Sequence, residues 1–179
     1  MLALPTPPEY EAPNGLQIVI PFLPPSSNHI YVNRPGGRGR FLHKEAEAWK
    51  NRFSQQVLAP YLMQMNSFCQ TVDRDPSSVL ELWMTFYFEA EDILNTTYNN
   101  GTKAAAKTRY KKMDVQNRIK LVTDAVVKAL AIDDSLNFRE IHDKCCADMV
   151  GGHPGICIRL KKRDPALFGI PPLPQPSLF

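Results

Sequence analysis

Apolar positions recur in short runs and at helical spacing through the middle of the chain, and that pattern predicts its elements. Leu16 to Phe22 (LQIVIPF) reads as a strand, stopped by the turn Pro24-Pro25-Ser26-Ser27. His43 to about Asn66 reads as a long helix with Trp49, Phe53, Val57 and Leu58 among its apolar positions. Val79 to Ala90 (VLELWMTFYFEA), rich in aromatic and β-branched residues, is the strongest strand. Ile93 to Lys112 reads as a polar loop. Asp114 to Leu130 reads as a second helix, with Asp114 as a suitable N-cap. Phe138 to Val150 and Gly155 to Lys162 read as strands joined around Gly151-Gly152-His153-Pro154-Gly155. The order β-α-β-α-β-β predicts an α+β fold: one compact domain whose mixed sheet is packed by two main helices.

The ends depart from this pattern. Of 16 prolines, four lie in Met1 to Gly15 and five in Pro165 to Phe179. Residues 1–15 and 164–179 are therefore expected to be extended tails around a domain spanning 16–163. The run FGIPPLPQPSLF keeps enough apolar side chains to dock on the body or on a partner.

Composition narrows the class. A chain of 179 residues, 44% hydrophobic, can bury one well-formed core, and 22% charged residues is ordinary for a globular protein. No apolar run approaches the roughly 20 residues needed to span a bilayer. The first residues, MLALPTPPEYEAPNG, lack the basic and apolar regions of a secretory signal, so a cytoplasmic location is expected. Cys69, Cys145, Cys146 and Cys157 show no CxxC spacing and are expected to be reduced, partly buried thiols. His29, His43, His142 and His153 are scattered without ligand-like spacing.

Charge is distributed unevenly. Between Lys103 and Lys120, seven basic residues (Lys103, Lys107, Arg109, Lys111, Lys112, Arg118, Lys120) meet one acid, Asp114. That stretch carries +6 of a total of +3, so the remainder carries −3. A second basic stretch, Arg34, Arg38, Arg40 and Lys44, lies in a Gly-rich segment. Such blocks are often only solvated surface, but in loops they also suit phosphate backbones.

The segment Lys111 to Asp134 carries the candidate chemistry. Val115, Ile119, Val122, Val126 and Ala129 form an apolar stripe that should meet the sheet. Asn117, Lys120 and Asp124 line the other side, and Asp114 opens the helix. An ordinary amphipathic helix would show the same pattern. Asp133-Asp134, just past the helix, adds something more, because adjacent carboxylates repel unless solvated or neutralised by a cation. If packing brings them to Asp114, three carboxylates and an amide offer the oxygen-rich cage that Mg²⁺ prefers. Beside a basic loop, such a cage suits phosphodiester hydrolysis. The metal polarises phosphate and activates water, while a lysine neutralises developing charge.

These residues resemble the RusA-type Holliday junction resolvases. Their Asp-x-Asp-Asn-x-x-Lys run appears as Asp114-Val115-Gln116-Asn117-Arg118-Ile119-Lys120, followed by Asp124-Ala125-Val126 and then Asp133-Asp134-Ser135. The family's Pro-Pro-Ser-x-Asn turn appears as Pro24-Pro25-Ser26-Ser27-Asn28, and the similarity runs from about Gln17 to Leu160. The resemblance implies a homodimeric, Mg²⁺-dependent endodeoxyribonuclease (Mn²⁺ serving in its place) that cuts four-way DNA junctions by paired nicks. It implies a bacterial or phage setting, no membrane and no nucleotide cofactor. Asp114, Asp133 and Asp134 would be the metal carboxylates, and Lys120 the catalytic lysine, acting with Asp114 and Asp134. Asn117 would hold the loop-to-helix geometry and Asp124 would play a supporting role. Asn28, Arg34, Arg38, Arg40, Lys103, Lys107, Arg109, Lys111 and Lys112 would contact DNA.

One position departs from the family pattern. Gln116 stands where the second Asp is expected, so a neutral oxygen replaces an anionic one. Three consequences are open: three carboxylates suffice, another carboxylate such as Asp124 substitutes, or the protein binds junctions without cutting efficiently. A catalytically weak DNA-binding module on the same fold is therefore the alternative reading. A small-molecule phosphohydrolase fits less well, since small ligands usually need an enclosed apolar pocket.

Overall fold

In the computed structural model, the structure describes residues 15–25, 30–33, 39–73, 77–95, 108–111, 115–148 and 152–171, leaving out the side chains of residues 40, 56, 117 and 134. Four strands form the main sheet: β1 (Gly15–Ile20), β4 (Val79–Phe88), β5 (Asn137–Cys146) and β6 (Gly155–Arg163). A small hairpin, β2 (Tyr31–Asn33) with β3 (Arg40–Leu42), interrupts the long connection after β1. The helices are α1 (Lys44–Arg52), α2 (Leu58–Asp73), the single turn α3 (Ala90–Ile93) and α4 (Gln116–Leu130). The α+β class with a mixed sheet holds.

The sheet order is β1-β6-β4-β5. β6 runs antiparallel to both of its neighbours, whereas β4 and β5 are parallel. The last two strands, consecutive in sequence, are thus separated in space by β4. A parallel pair needs a crossover, and α4 supplies it between β4 and β5. The central position of β4 explains its nearly continuous burial on both faces.

One face of the sheet carries the core. Leu16, Ile18 and Ile20 of β1 join Leu80, Leu82, Met84, Phe86 and Phe88 of β4, and Ile156, Ile158 and Leu160 of β6. The helices add Trp49, Phe53, Val57, Met65, Phe68 and Val72, and from α4 Ile119, Leu121, Val122, Ala125, Val126 and Leu130. Full burial of each large side chain contributes roughly 1.5–3 kcal/mol. Trp49 stacks on Phe53 with ring centroids 5.6 Å apart, and Phe22 meets Trp49 edge-on at 6.1 Å.

The expected helix from His43 to Asn66 is longer and interrupted. A π-helical turn at Phe53–Val57 separates α1 from α2, and α2 continues to Asp73. Pro60 supplies the reason. It has no N–H for the carbonyl four residues back, and its ring crowds that carbonyl, so a widened turn just before it relieves both problems. Tyr61 then turns its hydroxyl to the open edge of β1, where it accepts a hydrogen bond from the Val19 N–H at 3.2 Å. That contact occupies a backbone donor on the edge of β1 that pairs with no other strand among the described residues.

The N-terminus of α4 also differs from expectation. The N-cap is Val115, with no side-chain cap, rather than Asp114. The apolar stripe is present and wider than its five expected members, since Leu121 and Ala125 are buried as well while Ala129 is half-buried. All four cysteines are free, with Cys157 buried and the other three half-buried. Burial pushes the Cys69, Cys145 and Cys157 thiols up, as expected of inert structural cysteines.

Candidate functional site

The first end of α4 sits beside the end of β4. The Lys111 N–H donates to Ile93 O, and Leu94 bridges Tyr110, so the chain re-enters next to α3. Gln116 is exposed at the first position of α4, and Lys120 is exposed one turn later on the same face. Arg118 points the other way. Its guanidinium lies 5.4 Å from the Phe88 ring centroid, its Nε is buried without a hydrogen-bond partner among the described residues, and burial lowers its pKa against the opposing pull of Asp92. Arg118 therefore pins α4 to the end of β4 instead of lining the Gln116–Lys120 face.

Asp124 continues the exposed face in the middle of the helix. Burial, and secondarily its negative charge, raises the pKa of Tyr31 in the β2–β3 hairpin. Asp124 lies two turns from Gln116.

At the far end, Ala131 takes a left-handed conformation (φ 52°, ψ 34°) and closes α4. Its N–H reaches Lys128 O at 3.4 Å and the Ile132 N–H reaches Val127 O at 3.3 Å. Asp133 then folds the chain back: its Oδ1 accepts from the Ser135 N–H at 2.8 Å, and its carbonyl accepts from the Leu136 N–H at 3.2 Å. A 3₁₀ turn at Asp134–Leu136 delivers the chain into β5. Asp133 is exposed.

The 15 residues of α4 rise about 22 Å at 1.5 Å each, so Gln116 and Asp133 stand at opposite ends of one helix. Side chains cannot close that gap, because metal–oxygen bonds are about 2.0–2.6 Å. Within one chain, Gln116 and Asp133 do not meet, whereas the expected convergence of Asp114, Asp133 and Asp134 rests on groups outside the described residues. Asp114 lies outside the described residues, as does the carboxylate of Asp134. Among the described residues no group of three or more His, Cys, Asp or Glu is placed to hold a metal ion.

The expected DNA contacts divide similarly. Asn28, Arg34, Arg38, Lys103, Lys107 and Lys112 lie outside the described residues, as do the side chains of Arg40 and Asn117. Arg109 is exposed. Lys111 is also exposed, but its ammonium donates to the Glu91 carbonyl and helps fasten the crossover to α3.

A family model described as Endodeoxyribonuclease RusA matches residues 21–161 of the 179. The chain belongs to the RusA endodeoxyribonuclease family. A comparison with curated proteins finds no match. The RusA match takes in β2 through most of β6, including both ends of α4 and the whole Asp114–Lys120 and Asp133–Asp134 motifs. Membership places the chain among nucleases of the Holliday junction resolvase type, acting on branched DNA. No helix among the described residues is long and apolar enough to cross a membrane.

Sequence reading passed over cations outside the two basic loops. Arg159, Lys161 and Arg163 alternate with the core residue Leu160 along β6. The signal was the run Arg159-Leu160-Lys161-Lys162-Arg163, whose period of two puts three charges on one sheet face.

Proposed function

We propose that this RusA-family protein is a Mg²⁺-dependent, homodimeric endonuclease that resolves four-way DNA junctions by paired nicks, each active centre drawing on two protomers. The observation that carries the two-protomer reading is the length of α4. The Lys120 end and the Asp133–Asp134 end of one chain are too far apart to share a metal shell, yet both belong to the family motif. A twofold axis that sets the first end of one α4 against the last end of its partner's restores both shells at once. It also produces two identical centres, the number that paired nicks require.

In such a centre Asp114 and Gln116 would come from one protomer, and Asp133 and Asp134 from the other, as candidate oxygen donors to the cation. When bound, Mg²⁺ would supply Lewis-acid polarisation of the scissile phosphate and a more acidic water. The chain's own part is electrostatic and positional. Lys120 is exposed and on the same helix face as Gln116, so its ammonium can neutralise charge developing on phosphate oxygens. Gln116 supplies a neutral carbonyl oxygen. Asp133 is already oriented by the Ser135 N–H bond at Oδ1.

Mixing two inactive variants tests this reading. Lys120→Ala and Asp133→Asn should each abolish nicking. Co-refolded together, they form heterodimers in which one composite centre carries both lesions and the other carries none. Nicking of one strand per junction should then return without paired cleavage. If each centre were built within one chain, every heterodimer would be dead at both. Gln116 favours the alternative of a junction-binding protein that cuts poorly. Junction binding with no nicking by the wild type at any Mg²⁺ or Mn²⁺ concentration would establish it.

A further inference from the structure

The sheet has a second face, and the described helices contribute nothing to its apolar cluster, which consists of Tyr87, Ala147 and Cys157 with Val19 and Cys145 beside them. By strand register this face also carries Arg159, Lys161 and Arg163 of β6, Glu81 and Trp83 of β4, and Arg139 and Asp143 of β5. Four cations therefore share it with two carboxylates. Glu81 is already consumed: it is 2% exposed and paired with Arg163 at 2.7 Å and Arg139 at 3.3 Å. Arg159 lies 5.4 Å from the Trp83 ring centroid, and its Nε has no hydrogen-bond partner among the described residues. Lys161 has no ion-pair partner among them and stands in register between Gly15 of β1 and Glu81 of β4, whose carboxylate is taken by the two arginines.

We infer that this face is a second DNA contact surface, one that holds the sugar–phosphate backbone of a junction arm away from the cleavage centres. The inference rests on the junction-nuclease reading above. Alternate residues on a strand are about 6.6–6.8 Å apart, so the half-buried Arg159, Lys161 and Arg163 form a straight row of cations, of which Arg163 is already paired with Glu81. A row of this kind matches a regularly spaced polyanion. It does not suit a second copy of the chain, which would bring the same excess of cations to a symmetric contact. The ladder lies opposite the core face on which α4 packs, so it does not belong to the Gln116–Lys120 surface. A four-way junction has arms that leave the cut site, and a nuclease that also grips an arm gains orientation without changing its chemistry.

Lys161→Gln is the test, because Lys161 is the ladder member with the fewest internal ties; Arg159→Gln disturbs the Trp83 contact and Arg163→Gln exposes Glu81. Junction affinity of the variant should fall roughly fivefold near 0.15 M salt, with the salt slope shallower by about 0.9. Lys161→Arg should restore both. Hydroxyl-radical footprints should lose protection on arm phosphates distant from the nick while keeping it at the nick. Nicking at saturating junction should be unchanged. An unaltered slope and footprint for Lys161→Gln would overturn the inference, as would a change in oligomeric mass for Lys161→Glu, which would mark the face as a contact between protomers. Wild-type protein that binds no branched DNA would instead sink the junction-nuclease reading itself.

Discussion

Arg163 donates through Nη2 to Glu81 Oε1 at 2.7 Å, diagonally across the β4–β6 pairing, on the sheet face opposite α4. The Trp83 Nε1–H reaches the same oxygen at 2.7 Å, and Arg139 reaches Oε2 at 3.3 Å. Burial by itself would raise the Glu81 pKa. The bonds from Trp83 and Arg163, with the charges of Arg163 and Arg139, outweigh burial and hold the carboxyl below its usual value. Glu81 is thus an ionised carboxylate kept at the sheet centre by its partners.

The two arginines should not be equivalent. Arg163→Met leaves a buried carboxylate with only its weaker cation and should cost about 2–3 kcal/mol. Arg139→Met removes a longer bond from a side chain that is 58% exposed and should cost about 1 kcal/mol or less. Urea unfolding of both variants checks the ranking. The pH dependence has a definite sign. A depressed folded pKa contributes stability that is present above the unfolded value, about 4.3, and lost as pH falls through the folded one. Urea midpoints measured across pH should therefore separate wild type from Glu81→Gln above pH of about 4.3 and converge as pH falls through the lower folded pKa.

Ala131 is the one described non-glycine residue with positive φ. A left-handed alanine costs about 1 kcal/mol or more, while glycine adopts the same angles freely at some cost in unfolded-chain entropy. Ala131→Gly should stabilise the protein by roughly 0.5 kcal/mol, read as a higher urea midpoint at unchanged slope. A lower midpoint would show that the methyl group makes a compensating contact.

Gln116→Asp should lower the Mg²⁺ concentration for half-maximal nicking, because an anionic oxygen replaces a neutral one near the cation. The same change adds repulsion among carboxylates in the absence of metal. Thermal stability should therefore drop without Mg²⁺ and rise further on its addition, by linkage. Both shifts should appear together, in nicking titrations and in metal-dependent melting. If neither appears, Gln116 faces away from the cation and three carboxylates suffice.

Neutralising Lys107, Arg109, Lys111 and Lys112 together should flatten the salt dependence of junction binding, each phosphate contact contributing a slope of about −0.9. Reverting Lys111 alone should recover little of the lost slope, since its ammonium is committed to the Glu91 carbonyl. Binding measured across a salt series separates the two.

Much of this architecture was legible in the chain. Alternation in Leu16–Ile20 and the aromatic run of β4 marked strands, and the spacing Val115, Ile119, Val122, Val126 marked the buried side of α4. These are consequences of local geometry, so a window of ten or fifteen residues contains them. The π turn before Pro60 was not read from the pattern, because apolar spacing alone continues straight through the proline. The RusA motif was legible because it is a pattern of residue types at fixed spacing along one helix and its return turn.

Other features belong to the tertiary structure alone. The neighbours of β6 are β1 and β4, more than 60 residues away in each case, and no local period encodes which strands pair across such separations. That pairing is what gathers Glu81, Arg139 and Arg163, scattered over 83 positions of sequence, into one ionic cluster, and turns the alternating charges of β6 into a ladder on one face. The parallel β4–β5 pairing likewise makes α4 run the length of the sheet as a crossover, putting Gln116 and Asp133 at its two ends. Residue types and spacing determined which groups carry the chemistry. Only the fold, through the rigid 22 Å of α4, decided that those two positions cannot meet within a single chain.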